Sequence, residues 1–106
     1  MLKMTPKQNR TIHRVISVFG EKNQQMQAIE ELMELQRAVF ENVHRGTDNR
    51  DNIVEEVADV EIMLEQLKLI FTLHGKVTTK KGEKIERLKG IIEKYKEKQA
   101  CKNPEN

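Results

Sequence analysis

The sequence predicts an all-α fold, on three observations. Glu, Lys, Leu and Ile are abundant while aromatic residues make up only 4% of the chain, a mix that favours helices over strands. Apolar residues recur at steps of three and four through most of the chain. Gly20, Gly46 and Gly75 punctuate these periodic runs at the places where helices would stop. Together they place helices at about 6–19, 22–43, 51–73 and 79–98, with 99–106 as a frayed tail. A chain of 106 residues suits a single domain with a modest core, 1–106, whose long helices would gain by self-association.

The first helix is expected to be capped by Thr5 with Pro6 in its first turn, and to carry Ile12, Val15, Ile16 and Phe19 on one face. Gly20 ends it. His13 beside that face reads as a partly exposed helix histidine. The second helix presents a broad apolar arc: Ala28, Ile29, Leu32, Met33, Leu35, Val39, Phe40 and Val43. Met33 and Phe40 read as core. Gln24, Gln25 and Gln27 read as polar surface that could touch a ligand. The polar turn from His44 to Asn52 has Gly46 as a helix C-cap, with Thr47, Asp48 or Asp51 to cap the next helix. His44, Arg45 and Arg50 in that turn could meet a phosphate or simply water.

The third helix has a seam of Ile53, Val57, Val60, Leu64, Leu67 and Phe71. At about 100° per residue, Glu56 projects between Met63 and Leu67, and Asp59 close to Met63 and Ile70. Glu61, Glu65 and Lys68 take the opposite, wet face. Gly75 is expected to close this helix, and Thr78 or Thr79 to cap the fourth, where Ile85, Leu88, Ile92 and Tyr95 form a seam. Lys80, Lys84 and Arg87 share an adjoining strip. That strip is either an ordinary basic surface or a grip for phosphate.

Two acidic pairs hold the chemistry. Glu31 and Glu34, and Glu56 and Asp59, each have the i, i+3 spacing that puts side chains on one helix surface. Glu31 and Glu34 taken alone are solvent-facing charges. Glu56 and Asp59 lie on a flank that is apolar one and two turns later, where a carboxylate must be protonated, ion-paired or metal-bound. Two such helices side by side would converge four carboxylates, and a hard divalent cation relieves their repulsion. Oxygen ligands suit Mg2+, with Mn2+ as the alternative. Glu55 lies off this flank.

These pairs and the words around them, Ala28-Ile29-Glu30-Glu31-Leu32-Met33-Glu34-Leu35 and Glu55-Glu56-Val57-Ala58-Asp59-Val60, resemble the metal motif of MazG-like nucleoside triphosphate pyrophosphohydrolases. Lys84-Ile85-Glu86-Arg87 resembles the basic segment of that family's last helix, so the likeness spans Gln24 to Ile92. The resemblance implies a four-helix-type bundle of the all-α NTP pyrophosphatase kind, completed by oligomerisation into a homodimer or homotetramer. It implies Glu31, Glu34, Glu56 and Asp59 as catalytic magnesium ligands, and Lys84, with Arg87 and Lys80, as phosphate contacts. The implied reaction is magnesium-dependent hydrolysis of a nucleoside triphosphate, a dNTP first, to the monophosphate and pyrophosphate. With no tryptophan and few aromatics near the motif, it assigns no base-stacking group.

A second reading is a non-catalytic helical module that binds a nucleotide or a protein through the seams of the third and fourth helices. A phosphoribosyl-ATP pyrophosphohydrolase would keep the chemistry and change the substrate. The formal net charge of +2 argues against a specific nucleic-acid binder. Cys101 is the only cysteine, which fits a reducing compartment. The segment Met1–Pro6 is not followed by a signal-peptide core, and no apolar run is long enough for a membrane, so a cytoplasmic location is expected.

Overall fold

Each helix start and stop follows from a few residues. Thr5 accepts a hydrogen bond from the Gln8 backbone N–H at 3.1 Å, while the Gln8 side chain accepts from the Thr5 N–H at 2.9 Å. This reciprocal cap, with Pro6 at the first position, opens α1 (Pro6–Phe19) as expected. Gly20, at φ +92°, closes α1 and begins α2 (Glu21–Arg45) with no residue between the two roles. The Asn23 side chain donates to the Phe19 carbonyl at 2.8 Å and satisfies one of the free acceptors at the end of α1.

The computed structural model describes residues 3–102, and these are helical apart from short connections. α3 (Arg50–Ile70) and α4 (His74–Lys102) complete the order, and no strand occurs among the described residues. None of these helices is long and apolar enough to cross a membrane. Contacts divide the chain into two compact units, one ending at Thr72 and one beginning at Leu73.

In the first unit, α2 and α3 form the main packing and α1 contacts both. Its core is small: Ile12, Ala28, Ala38, Val60 and Met63 are the buried apolar residues. Two glutamines, Gln24 and Gln66, are buried with them. Gly46 ends α2 in the left-handed conformation, at φ +62°, as expected. The cap of α3 differs from expectation. Asn49 holds that position, and its side chain turns back to donate to the Ala38 carbonyl at 2.9 Å. Asp48 accepts from the Arg50 N–H at 3.4 Å. A side chain that ties the loop to the core outcompetes one that only satisfies a helix end.

Several packing expectations are corrected. The buried stripe of α2 runs through Gln24, Ala28 and Ala38, with Glu31 and Leu35 half-buried between them. The apolar arc around Leu32 and Met33 is exposed; Met33 is 62% and Phe40 53% accessible, so neither is core. In α3 the contact stripe contains Ile53, Glu56, Val60, Met63, Gln66 and Ile70, rotated from the predicted seam so that Val57, Leu64 and Phe71 are exposed. Glu65 and Lys68 are half-buried and paired at 2.7 Å rather than on a fully wet face. Which side of a helix is buried depends on its neighbour, and apolar residues on both sides of α2 leave that choice open in the sequence.

α3 also stops earlier than expected, at Ile70. Phe71 donates to the Leu67 carbonyl, and Thr72 takes a left-handed conformation at φ +55°. Gly75 therefore lies inside α4, which begins at His74. In the second unit α4 has no buried residue, and its seam residues Ile85, Leu88, Ile92 and Tyr95 are exposed along with Ile91. The helix continues through 99–102, expected to fray, because Gln99, Ala100 and Lys102 are good helix formers. The rest of the expected tail, 103–106, lies outside the described residues.

Candidate metal centre

α2 and α3 run antiparallel: Gln24 meets Gln66, Glu31 meets Asp59, and the Asn49 side chain reaches Ala38. Glu31 is brought in by its place on the buried stripe of α2, one turn after Ala28 and one before Leu35. Glu56 is brought in by the stripe of α3, one turn before Val60. Asp59 stands beside it at the solvent edge. Each of these three offers a carboxylate oxygen, and the three oxygens lie within 4.8 Å of one another. Glu31 and Glu56 are half-buried and Asp59 is exposed, so the cluster has a wet mouth and an enclosed floor.

Glu34 is exposed and faces Glu56 across the seam, outside the group of three. Three of the four acids thus come together, with Glu34 at the rim. Glu55, predicted to lie off the flank, is exposed.

The electrostatics of the cluster are those of a site short of positive charge. One Glu31 oxygen accepts from the Gln27 amide at 2.9 Å. That bond is the largest single influence on Glu31 and pulls its pKa down. Desolvation, the charges of Glu34 and Asp59, and the contact with Asp59 together outweigh it, and the net shift is upward from the ordinary value of 4.5. Glu56 is also raised, first by desolvation and then by Glu34, Asp59 and Glu31. Two carboxylates can hydrogen-bond each other only if one carries a proton. The second oxygens of Glu31 and Glu56 are buried and without a hydrogen-bond donor.

A lysine or arginine partner was the alternative explanation for acids on this flank. Among the described residues, the ion pairs are Arg37 with Glu41, Lys68 with Glu65 and Lys80 with Glu83. None involves Glu31, Glu34, Glu56 or Asp59. The donor set that remains, oxygen-only and multiply anionic, fits a hard divalent cation.

Beside the rim, Glu30, Met33, Glu34, Gln36, Arg37 and Phe40 line a shallow groove of about 490 Å³. Phe40 also packs against His44, with ring centroids 4.4 Å apart. Lys80, Lys84 and Arg87 lie on exposed turns of α4, in the second unit, and the Lys80 ammonium sits 2.9 Å from Glu83. His44, Arg45 and Arg50 are exposed in the turn region, and His13 is exposed on α1.

Sequence reasoning undervalued the glutamines. Gln27 is a direct partner of Glu31, and Gln24 is a core residue bonded to Gln66. The signal was present: Gln24 precedes Glu31 by two turns, and Gln66 lies between Met63 and Ile70 on one stripe. Comparison of the chain with protein-family profiles, curated proteins and solved structures gave no significant match.

Proposed function

We propose that this chain is a divalent-metal-dependent hydrolase that splits a nucleoside triphosphate, with deoxynucleoside triphosphates first among the candidates, into the monophosphate and pyrophosphate. The observation that carries the reading is the meeting of Glu31, Glu56 and Asp59 from two helices, with two buried carboxylate oxygens unpaired and, among the described residues, no ion pair to any of the three. The resemblance of the two acidic words to the MazG-like motif supports the substrate class.

Glu31, Glu56 and Asp59 would hold the ion, Mg2+ or Mn2+. Bound there, it would supply positive charge for the triphosphate oxygens. Glu34 is the natural proton acceptor for an attacking water, because it stands at the exposed rim beside Glu56. Gln27 holds one oxygen of Glu31 and so limits the directions in which that carboxylate can turn. The open face of α2 beside the cluster carries Met33 and Phe40 as apolar surface and Arg37 as a cation one turn from Glu34. The resemblance of Lys84-Ile85-Glu86-Arg87 to the family's basic segment supports Lys84, with Arg87 and Lys80, as phosphate contacts. A homodimer or homotetramer is proposed as the working form, supported by the exposed apolar side chains Ile85, Leu88, Ile92 and Tyr95 of α4.

The test is a pyrophosphate-release screen over common and modified nucleoside triphosphates, with and without magnesium. Release from at least one of them, dependent on magnesium and lost in Glu56→Gln, is the expected result. A second reading, a helical interaction module without catalysis, draws on the same exposed apolar residues of α4. Stable oligomers that bind neither Mn2+ nor a non-hydrolysable triphosphate would favour it.

A further inference from the structure

Two turns from the carboxylate centre, the same helix seam holds a side-chain hydrogen bond between two amides. Gln24 donates to Gln66 at 2.7 Å, and both residues are buried, Gln66 to 2% exposure. Burying two amides requires this bond, because each would otherwise lose its water partners. Two apolar residues of the same size would stabilise the seam at least as well. Stability alone therefore does not explain the pair.

Its position does. Gln24 lies seven residues before Glu31, and Gln66 seven residues after Asp59. Seven residues are two turns, roughly 10.5 Å along the axis with only about 20° of drift. The amide pair and the carboxylates thus occupy the same two stripes. In an antiparallel pair of helices, residues that meet have numbers with a constant total. Gln24 with Gln66, Glu31 with Asp59, and Glu34 with Glu56 all share one total. The neighbouring contacts, Ala28, Ala38, Val60 and Met63, are apolar and set no hydrogen-bonded register of their own. A slide of one turn would strand the buried amide pair, and at the loop end it would also part Asn49 from the Ala38 carbonyl.

We infer that Gln24 and Gln66 are positioning residues that fix the α2–α3 register and thereby hold Glu31 opposite Asp59 in the carboxylate centre. A buried polar pair of this kind selects one arrangement among several of similar packing energy. The role as support for a metal centre rests on the proposed function above; the role in register does not.

The test compares the parent chain with the double variant Gln24→Met, Gln66→Met, which keeps side-chain length and removes the hydrogen bond. Two readouts are taken: Mn2+ affinity by calorimetry without nucleotide, and the amide NMR signals of α3. The double variant is expected to melt no lower than the parent. Its Mn2+ affinity falls by about tenfold or more, the range known for groups that orient metal ligands. Its amide signals between Glu56 and Gln66 broaden or double as the register becomes mixed. Gln66→Glu, at a pH where its buried carboxyl is protonated and still accepts from the Gln24 amide, retains the parent's single set of α3 signals. Parent-like Mn2+ affinity in the double variant overturns the proposal. If the parent itself takes up no Mn2+, the proposed function fails, and the α3 signals decide the register claim alone: one sharp set in the double variant overturns it. Should the double variant not fold, Gln66→Met against Gln66→Glu carries the same comparison, and identical behaviour of the two overturns it.

Discussion

Two polar patches interrupt the apolar seam between α2 and α3, and they differ in one respect. At Gln24 and Gln66 a donor meets an acceptor, and the patch is complete in itself. Two turns away, Glu31, Glu56 and Asp59 bring acceptor to acceptor, and the patch is incomplete. The same helices and the same stripes give opposite electrostatics, the amide pair buried and the acids half-buried or at the solvent edge. The contrast teaches that burial of polar groups does not by itself mark a site. What marks one is burial with a deficit that the protein's own side chains leave unfilled.

The contrast can be broken most sharply at the incomplete patch. Glu56→Gln and Asp59→Asn are expected to fold as the parent does, by circular dichroism, and to show no detectable pyrophosphate release with magnesium. Wild-type turnover in either would remove the acids from the chemistry. At the complete patch the effect should be on stability. Gln66→Leu alone strands the Gln24 amide in the core, and urea denaturation should show a loss of about 1–3 kcal/mol. A loss well below that range would mean that water reaches Gln24.

Asn49 lies between the two cases. Its amide nitrogen is satisfied by the Ala38 carbonyl, while its side-chain oxygen is buried without a donor. Asn49→Ala removes one good bond and one deficit together, so a smaller loss, about 0.5–1.5 kcal/mol, is expected in the same assay. The smallest expected effect is on pH dependence. Glu31 and Glu56 have raised pKa values, so in chelator their contribution to stability is fully present below 4.5 and is lost as pH rises through their folded-state values. The melting temperature in chelator should therefore fall across that window. Mn2+ should restore it near neutrality, and Glu56→Gln should flatten the fall. A melting temperature that rises with pH through the window would show that the acids are not in conflict.

The sequence made the helices legible where local chemistry decides. Thr5 with Pro6, and Gly20 and Gly46, act through their own side chains or their lack of one, and they fall where they were expected. The flank carrying Glu56 was also legible, because Met63, Leu67 and Ile70 fix its character within one helix. The burial of Glu31 was not. α2 has apolar residues on both sides of that acid, and only packing against α3 selects Ala28, Leu35 and Ala38 as the inner stripe. The stop of α3 was misplaced for a related reason. A glycine is the least costly residue for a left-handed turn, yet the chain turns at Thr72, where a branched side chain opposes the conformation. The spacing of the acids pointed to the cluster, where three of the four meet; the two glutamines are legible singly as positions on the same stripes, but their pairing across 42 positions is set by packing alone.

Gly20 carries a separate lesson about handedness. It joins α1 to α2 alone, at φ +92°, and nothing lies within 4 Å of where a methyl group would be added. The obstacle to a larger residue there is a clash of its Cβ with the adjoining backbone and not a lack of surrounding room, so it depends on chirality rather than on size. In a chemically synthesised chain, a D-amino acid at this joint should keep the elbow between the first two helices, whereas its L-counterpart should force it open.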